Sequence, residues 1–341
     1  MKKPEKFAIL TMSASILSSA VFATVVETVP VNNINNLPDT EIMSTDGTTG
    51  YGSVRYEYAM GKFEVTASQY AEFLNAVAVT DTYGLYNLEM WSSAVGSKIQ
   101  QSGAPGSFSY SVVSESADRP ANFVSWGDAA RFANWMHNGQ PTGAQGLATT
   151  EDGSYFLDGA LTRVELLTIA REPDATWVIP SEDEWYKAAY HKNDGVTGNY
   201  FNYPTSSDAV PGNSLADPDP GNTATYLTGG FVPGPPLWKS EVGDHENSGS
   251  PYGTFDQGGN VWEWNEAFLD PSGGSITDAF RGLRGGDYSN SSGSLHADFR
   301  SSYDPSSEQL FIGFRVAQVP EPATLTLLAL GGVAFLRRRA S

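Results

Sequence analysis

The segment Thr254–Ala317 constrains the fold more than any other part of this chain. It carries three strings: GGNVWEWNE (Gly258–Glu266), LRGGDY (Leu283–Tyr288) and GFRVA (Gly313–Ala317). Each sets aromatic or aliphatic residues against glycine, the mark of strands that end in tight turns or pass close to other backbone. Trp262 and Trp264 read as core and Gly313-Phe314-Arg315 as the last core strand. Arg284, Gly285 and Gly286 read as a turn with an internal salt bridge. The chain has no cysteine, so disulfides, thiolate metal sites and thiol nucleophiles play no part in it. Its 35 glycines, 20 prolines, 8 Trp, 16 Tyr and 17 Phe instead imply an aromatic-rich, loop-rich core held by turns and metal. About 270 residues between the termini suffice for one large domain.

Three helix starts are signalled by capping boxes, in which a side-chain oxygen accepts from the amide three residues on and that residue's side chain reaches back. They are Thr66–Gln69, Ser125–Asp128 and Ser181–Glu184. Each is followed by apolar residues spaced three and four apart: Tyr70, Phe73, Leu74 and Val77; Ala129, Phe132, Ala133 and Met136; Trp185, Ala188 and Ala189. Tyr56, Tyr58, Met60, Phe63 and Val65 read as strand around a turn or bulge at Gly61. Gly153–Gly159 and Ala175–Pro180 read as short strands, and Tyr200–Lys239, rich in proline and glycine, as a long ordered loop. Thr24–Gly50, polar and rich in Asn and Thr, reads as a linker or loosely docked arm.

Both ends carry targeting signals. Lys2, Lys3 and Lys6, the apolar run Phe7–Phe22 and the triplet Val21-Phe22-Ala23 read as a signal peptide over residues 1–23. At the other end Val319-Pro320-Glu321-Pro322 precedes an apolar run, Ala323–Leu336, and then Arg337–Arg339. At about 1.5 Å per residue that run spans roughly 21 Å, short of a bilayer's ~30 Å core unless its flanks extend the helix. Residues 319–341 resemble the PEP-CTERM sorting tail, a short transmembrane helix with an arginine cluster that an exosortase-type transpeptidase processes. That resemblance implies export to the envelope, cell surface or extracellular matrix of a Gram-negative-type bacterium. The two ends contribute +2 and +3, so the piece between them carries −24 against −19 for the whole chain. Such a charge argues against nucleic acid and anionic polymers as partners. Contact with a membrane is expected through the tail alone.

Between the ends, residues 51–318 resemble the formylglycine-generating enzyme (sulfatase-modifying factor) family. The resemblance rests on Glu64–Phe73, Arg119–Trp135, Ile179–Ala189 and the three strings of Thr254–Ala317. It implies an α+β fold, a C-type-lectin-like core elaborated with irregular loops. It also implies Ca²⁺ in the GNVWEW segment, with Asp256 and Glu263 as side-chain ligands and the carbonyls of Gly259 and Val261 between them. Hard oxygens of this kind suit calcium. The alternative is that Asp256 caps a turn and Glu263 pairs with Arg284 or Arg315. For the family's second calcium site, Asn222 has no matching Asp, since position 236 is Pro. The family's oxidases bind copper through two cysteines, whose places here are Asn290 and Leu295. Copper and formylglycine generation are therefore not expected.

The resemblance places Asp287, Asn290, His296, Asp298 and Arg300 near the former active-site groove, where a histidine with carboxylates is able to act as acid or base. The alternative is a solvated Ser/Asn-rich loop. His137, His191, His245 and His296 show no zinc spacing, and neither a phosphate loop nor a nucleophile elbow is present. The leading expectation is an exported, non-catalytic surface or matrix protein that binds a glycan, peptide or protein partner through the groove. The alternatives are an enzyme of altered, non-copper chemistry there, and a structural calcium-binding component that hydrates or crosslinks exopolysaccharide.

Overall fold

The computed structural model describes residues 23–270 and 278–320. The expected leader up to residue 22 and the tail from 321, with its apolar run and arginines, lie outside them. Among the described residues no helix is long and apolar enough to cross a membrane.

In chain order the elements are β1 (Thr28–Val31), β2 (Tyr58–Gly61), α1 (Ala67–Val77), α2 (Glu89–Ser92), β3 (Ile99–Ser102), β4 (Ser109–Val112), α3 (Trp126–His137), α4 (Arg163–Thr168), β5 (Trp177–Val178), α5 (Glu182–Tyr190), β6 (Trp262–Leu269), β7 (Phe280–Arg284), β8 (Ser301–Tyr303), β9 (Ile312–Gly313) and β10 (Ala317–Gln318). One antiparallel sheet runs β1-β2-β10-β5. A second runs β8-β7-β6-β9, with β9 parallel to β6, and β3-β4 is a separate hairpin. The class is α+β with long irregular segments. Tyr200–Lys239 contains none of the helices or strands, as its prolines and glycines imply.

The three expected capping boxes open α1, α3 and α5, each with both reciprocal bonds in place. A fourth, Thr162–Glu165, opens α4 between the two segments read as short strands. The apolar faces of α1 and α3 then meet the end of the chain. Phe132 packs edge-on against Phe73 at 5.3 Å and Phe314 at 5.4 Å between ring centroids, and pairs of this kind add about 0.5–1.5 kcal/mol each beyond burial. Trp262 and Trp264 are core, as expected, and the Trp264 indole donates to the Val124 carbonyl at 2.9 Å.

Three stretches depart from expectation. Gly313-Phe314-Arg315 is extended only as far as β9, and the closing strand is β10. Gly153–Gly159 holds a single bridge, Tyr155 to Arg171, in place of a strand. Thr24–Gly50, read as a linker or loose arm, is docked along its length. β1 pairs with β2 over four residues, the Leu37 amide donates to Thr197 O, and the Ser44 amide donates to Asp298 O. The asparagines that resemble linker composition instead make turns, with Asn33 and Asn35 at φ near +60°.

At the foot of α3, Glu308 and Asp128 share a hydrogen bond. Burial pushes the Glu308 carboxyl up to about 8, with the Asp128 and Asp81 charges adding. Burial also pushes Asp128 up to about 6, against donation from Ser125 and the Arg131 charge. A carboxyl held above its unfolded value binds its proton more tightly in the native state. The contribution of Glu308 is therefore complete below its ordinary 4.5 and is lost as pH rises through about 8. Thermal unfolding is expected to show stability falling between about pH 5 and 8. Glu308→Gln should flatten that slope; an unchanged slope would refute the shared-proton reading.

Candidate functional site

The centre of the molecule is a web of buried ion pairs anchored on β6, β7 and α5. Glu263 on β6 and Arg315 after β9 are both fully buried. Arg315 Nε donates to Glu263 Oε2 and Nη2 to Oε1, each at 2.6 Å. The Trp185 indole on α5 donates to the same Oε2 at 2.7 Å. The remaining Arg315 donors go to the Gly61 and Phe255 carbonyls, each at 2.9 Å. Arg284 at the end of β7 donates to Glu182 Oε1 at 2.8 Å, and Arg300 grips the same carboxylate through two nitrogens. Gly285 and Gly286 follow at φ +99° and +76°. A Cβ on Gly285 would stand 2.6 Å from the Gln257 carbonyl, so glycine is what lets the two turns touch.

This geometry decides the fit of calcium. Both oxygens of Glu263 are committed to Arg315 and Trp185, and the arginine cancels the carboxylate's charge. Asp256, at φ +60°, turns a carboxylate oxygen to the Gly243 amide at 2.7 Å, as a turn cap does. Gly259 lies so close to the Thr225 carbonyl that a Cβ would collide with it, and its amide donates to Gly285 O. Asp256, Glu263 and the carbonyls of Gly259 and Val261, as placed, do not fit a calcium site. Among the described residues no three His, Asp or Glu side chains are grouped to hold a metal. The sequence offered a pairing of Glu263 with an arginine as the alternative, and the structure has it with Arg315. It also reveals a neighbour that the sequence left unmarked. Glu64 is buried with neither carboxylate oxygen partnered, and burial, reinforced by Asp256 and Glu263, pushes its carboxyl well above the ordinary range.

The five groove candidates do not converge. Asp287 and Asn290 share one turn, in which the Asp287 amide donates to Asn290 Oδ1 at 3.1 Å and the Ser289 amide to Asp287 Oδ1 at 2.6 Å. Burial raises the Asp287 carboxyl, offset by Ser289, Trp262 and Asn290. His296 and Asp298 form a second turn, with Nδ1 and Oδ1 at 2.8 Å, against the edge of Tyr203. Arg300 faces inward to Glu182, with Asp46 and the Tyr51 hydroxyl completing its bonds. A cavity of about 600 Å³, lined by Asp46, Thr48, Phe268, Leu269 and Ser302, takes Arg300 alone of the five. Such a layout holds charge in place; it does not align an acid and a base on one atom.

What does gather at the Asp287–Asn290 turn is aromatic. The Asn290 carbonyl accepts from the Leu227 amide at 2.8 Å, tying the turn to the proline-rich loop. That loop brings Phe231 edge-on to Trp238, with ring centroids 4.9 Å apart. Tyr288 lies 6.4 Å from Phe231 and 6.3 Å from Trp238. Phe231 is exposed, Trp238 half-buried and Tyr288 buried, so the three make a shelf that reaches solvent at Phe231. Leu295 is fully buried in a small core with Tyr203, Ala224 and Tyr226. Sequence reasoning missed the shelf, because aromatics in a Gly/Pro loop have no periodicity.

The family model for the sulfatase-modifying factor enzyme 1-like domain matches residues 44–320. The chain belongs to that family. A second model, the PEP-CTERM protein-sorting motif, matches residues 318–340. This motif is the sorting signal that exosortase recognises, and it marks the chain for export to the envelope or surface of a Gram-negative bacterium. Among solved structures, the sulfatase-modifying-factor fold seen here is similar to CarF, at 18% identity and a TM-score of 0.54 over 88% of this chain and 100% of that one. It is also similar to Treponema denticola variable protein 1, at 18% and 0.53 over 86% and 95%. At that identity both show the fold alone. No curated protein matches. At the two positions that the resemblance assigns to cysteines, Asn290 is locked in a turn and Leu295 fills a small core.

Proposed function

We propose that this exported sulfatase-modifying-factor-like domain is a non-catalytic binding module that takes a neutral glycan on the shelf of Phe231, Trp238 and Tyr288. The observation that carries the reading is the position of the shelf: exposed Phe231 and half-buried Trp238, backed by buried Tyr288, stand beside Asn290, where the family's oxidases place a catalytic cysteine. Flat aromatic faces stack on the apolar faces of sugar rings. The large negative charge of the exported piece disfavours an anionic ligand, and export places the module where bacterial polysaccharide is abundant. Aromatic anchors at the centre of a site typically carry most of its binding energy.

On an array of neutral and acidic glycans and of peptides, the exported protein is expected to mark neutral glycans. Phe231→Ala with Trp238→Ala should weaken that binding by about tenfold or more, the effect of losing a central anchor. Equal binding by the double variant would move the site elsewhere. Binding to peptides alone would replace the ligand class.

A further inference from the structure

Thr24 is buried, only 5% exposed, although it lies at the start of the arm. Its amide donates to Gln140 Oε1 at 2.6 Å, and its carbonyl accepts from Gln140 Nε2 at 2.7 Å. Its hydroxyl donates to Glu72 Oε2 at 2.6 Å. One residue thus has every polar group matched by the side chains of Glu72 on α1 and Gln140 just after α3. Gln140 itself is held at φ +60° with its amide on the Trp135 carbonyl. Gln69 continues the clamp by donating to the Val25 carbonyl at 2.8 Å. Around Thr24 is a cavity of about 520 Å³ that Ala23, Asn75 and Trp135 help to line.

Thr24 is also the residue that would become the N-terminus if the leader is removed after Ala23, as the triplet Val21-Phe22-Ala23 implies. We infer that Glu72 and Gln140 form a preformed dock for the chain's own mature α-ammonium group. Hydrolysis of the Ala23–Thr24 bond consumes one water and leaves a carboxylate on the leader and an ammonium on Thr24. One of its hydrogens keeps the Gln140 Oε1 bond. The hydroxyl that Glu72 already accepts is only three bonds from the same nitrogen, which brings the other hydrogens within reach of the Glu72 carboxylate in the proposed dock. An amide offers that carboxylate no charge, whereas an ammonium does. Processing therefore adds an ion pair that the precursor lacks and fastens the arm to α1 and α3.

The test uses the full chain exported from a Gram-negative host. The wild type is compared with a variant carrying Gly-Ser inserted between Ala23 and Thr24, and with Glu72→Gln. The wild type is expected to begin at Thr24 by intact mass. Its α-amino group should be methylated by formaldehyde and borohydride at pH 7 about tenfold more slowly than that of the insertion variant, because a neighbouring carboxylate favours the protonated, unreactive form. The wild type should also unfold about 2–4 °C higher than either variant, the gap closing above pH 9 as the ammonium loses its proton. A mature N-terminus elsewhere would overturn the inference. So would equal labelling rates with equal midpoints, because Glu72 is exposed on α1 and its substitution leaves the core intact.

Discussion

Arg315→Ala is expected to lower stability by about 3–5 kcal/mol, the cost of leaving one member of a buried ion pair alone. The substitution strands Glu263, which is fully buried and would keep only the Trp185 indole as a partner. It also frees the Gly61 and Phe255 carbonyls, which Arg315 now serves. Those two carbonyls belong to the end of β2 and to the segment leading into β6, so the loss should loosen the junction between the two four-stranded sheets. Arg315→Lys keeps the charge but not the paired geometry on both carboxylate oxygens, and should recover only part of the loss. Because Glu263 is committed to this arginine and not to calcium, millimolar Ca²⁺ should restore neither variant. Urea unfolding with an unchanged slope would measure the effect. A loss below 1 kcal/mol would mean that the pair is not buried as described.

Glu182→Ala is the second large effect, of at least the same size. One carboxylate on the first turn of α5 pairs with two guanidiniums, those of Arg284 and Arg300. Arg284 is fully buried, and its other bonds are to the Ala297 and Phe299 carbonyls, so removal leaves a buried cation with no counter-charge. Arg300 keeps Asp46 and Tyr51 and should swing toward them. Helix α5 also loses an acidic residue from its first turn, a smaller cost of about 0.3–1 kcal/mol. Glu182→Gln preserves shape and some hydrogen bonds. Equal losses in the two variants would assign the effect to charge, which both remove, whereas a glutamine variant as stable as the wild type would point to shape alone.

How much of this was legible in the sequence follows the range of each interaction. The capping boxes at Thr66, Ser125 and Ser181 are closed within four residues, and all three helices open where they say. The motifs of Thr254–Ala317 marked the core correctly because tryptophan and glycine in strands have few other uses. Pairing across distance was legible only as a choice. Arg284 and Arg315 were both open partners for Glu263, and 52 residues separate it from the one it takes. The arm was misread because Asn and Thr serve linkers and tight turns alike, and only the pairing of β1 with β2 separates the two. The groove candidates fell within fourteen residues of sequence, yet nearness along the chain did not bring them together. Asp287 and Asn290 close one turn, His296 and Asp298 another, and Glu182 draws Arg300 inward. The shelf depends on Leu227 binding the Asn290 carbonyl, a contact no local pattern announces.

The most direct test of the central claim is calorimetric titration of the exported protein, and of its Trp238→Ala variant, with neutral hexasaccharides chosen from the array. The expected result is saturable one-site binding by the wild type and affinity reduced about tenfold or more by the variant, with both proteins unfolding at similar temperatures. Absence of binding, or equal affinity in the two proteins, would contradict the assignment of this domain as a glycan-binding module acting through that shelf.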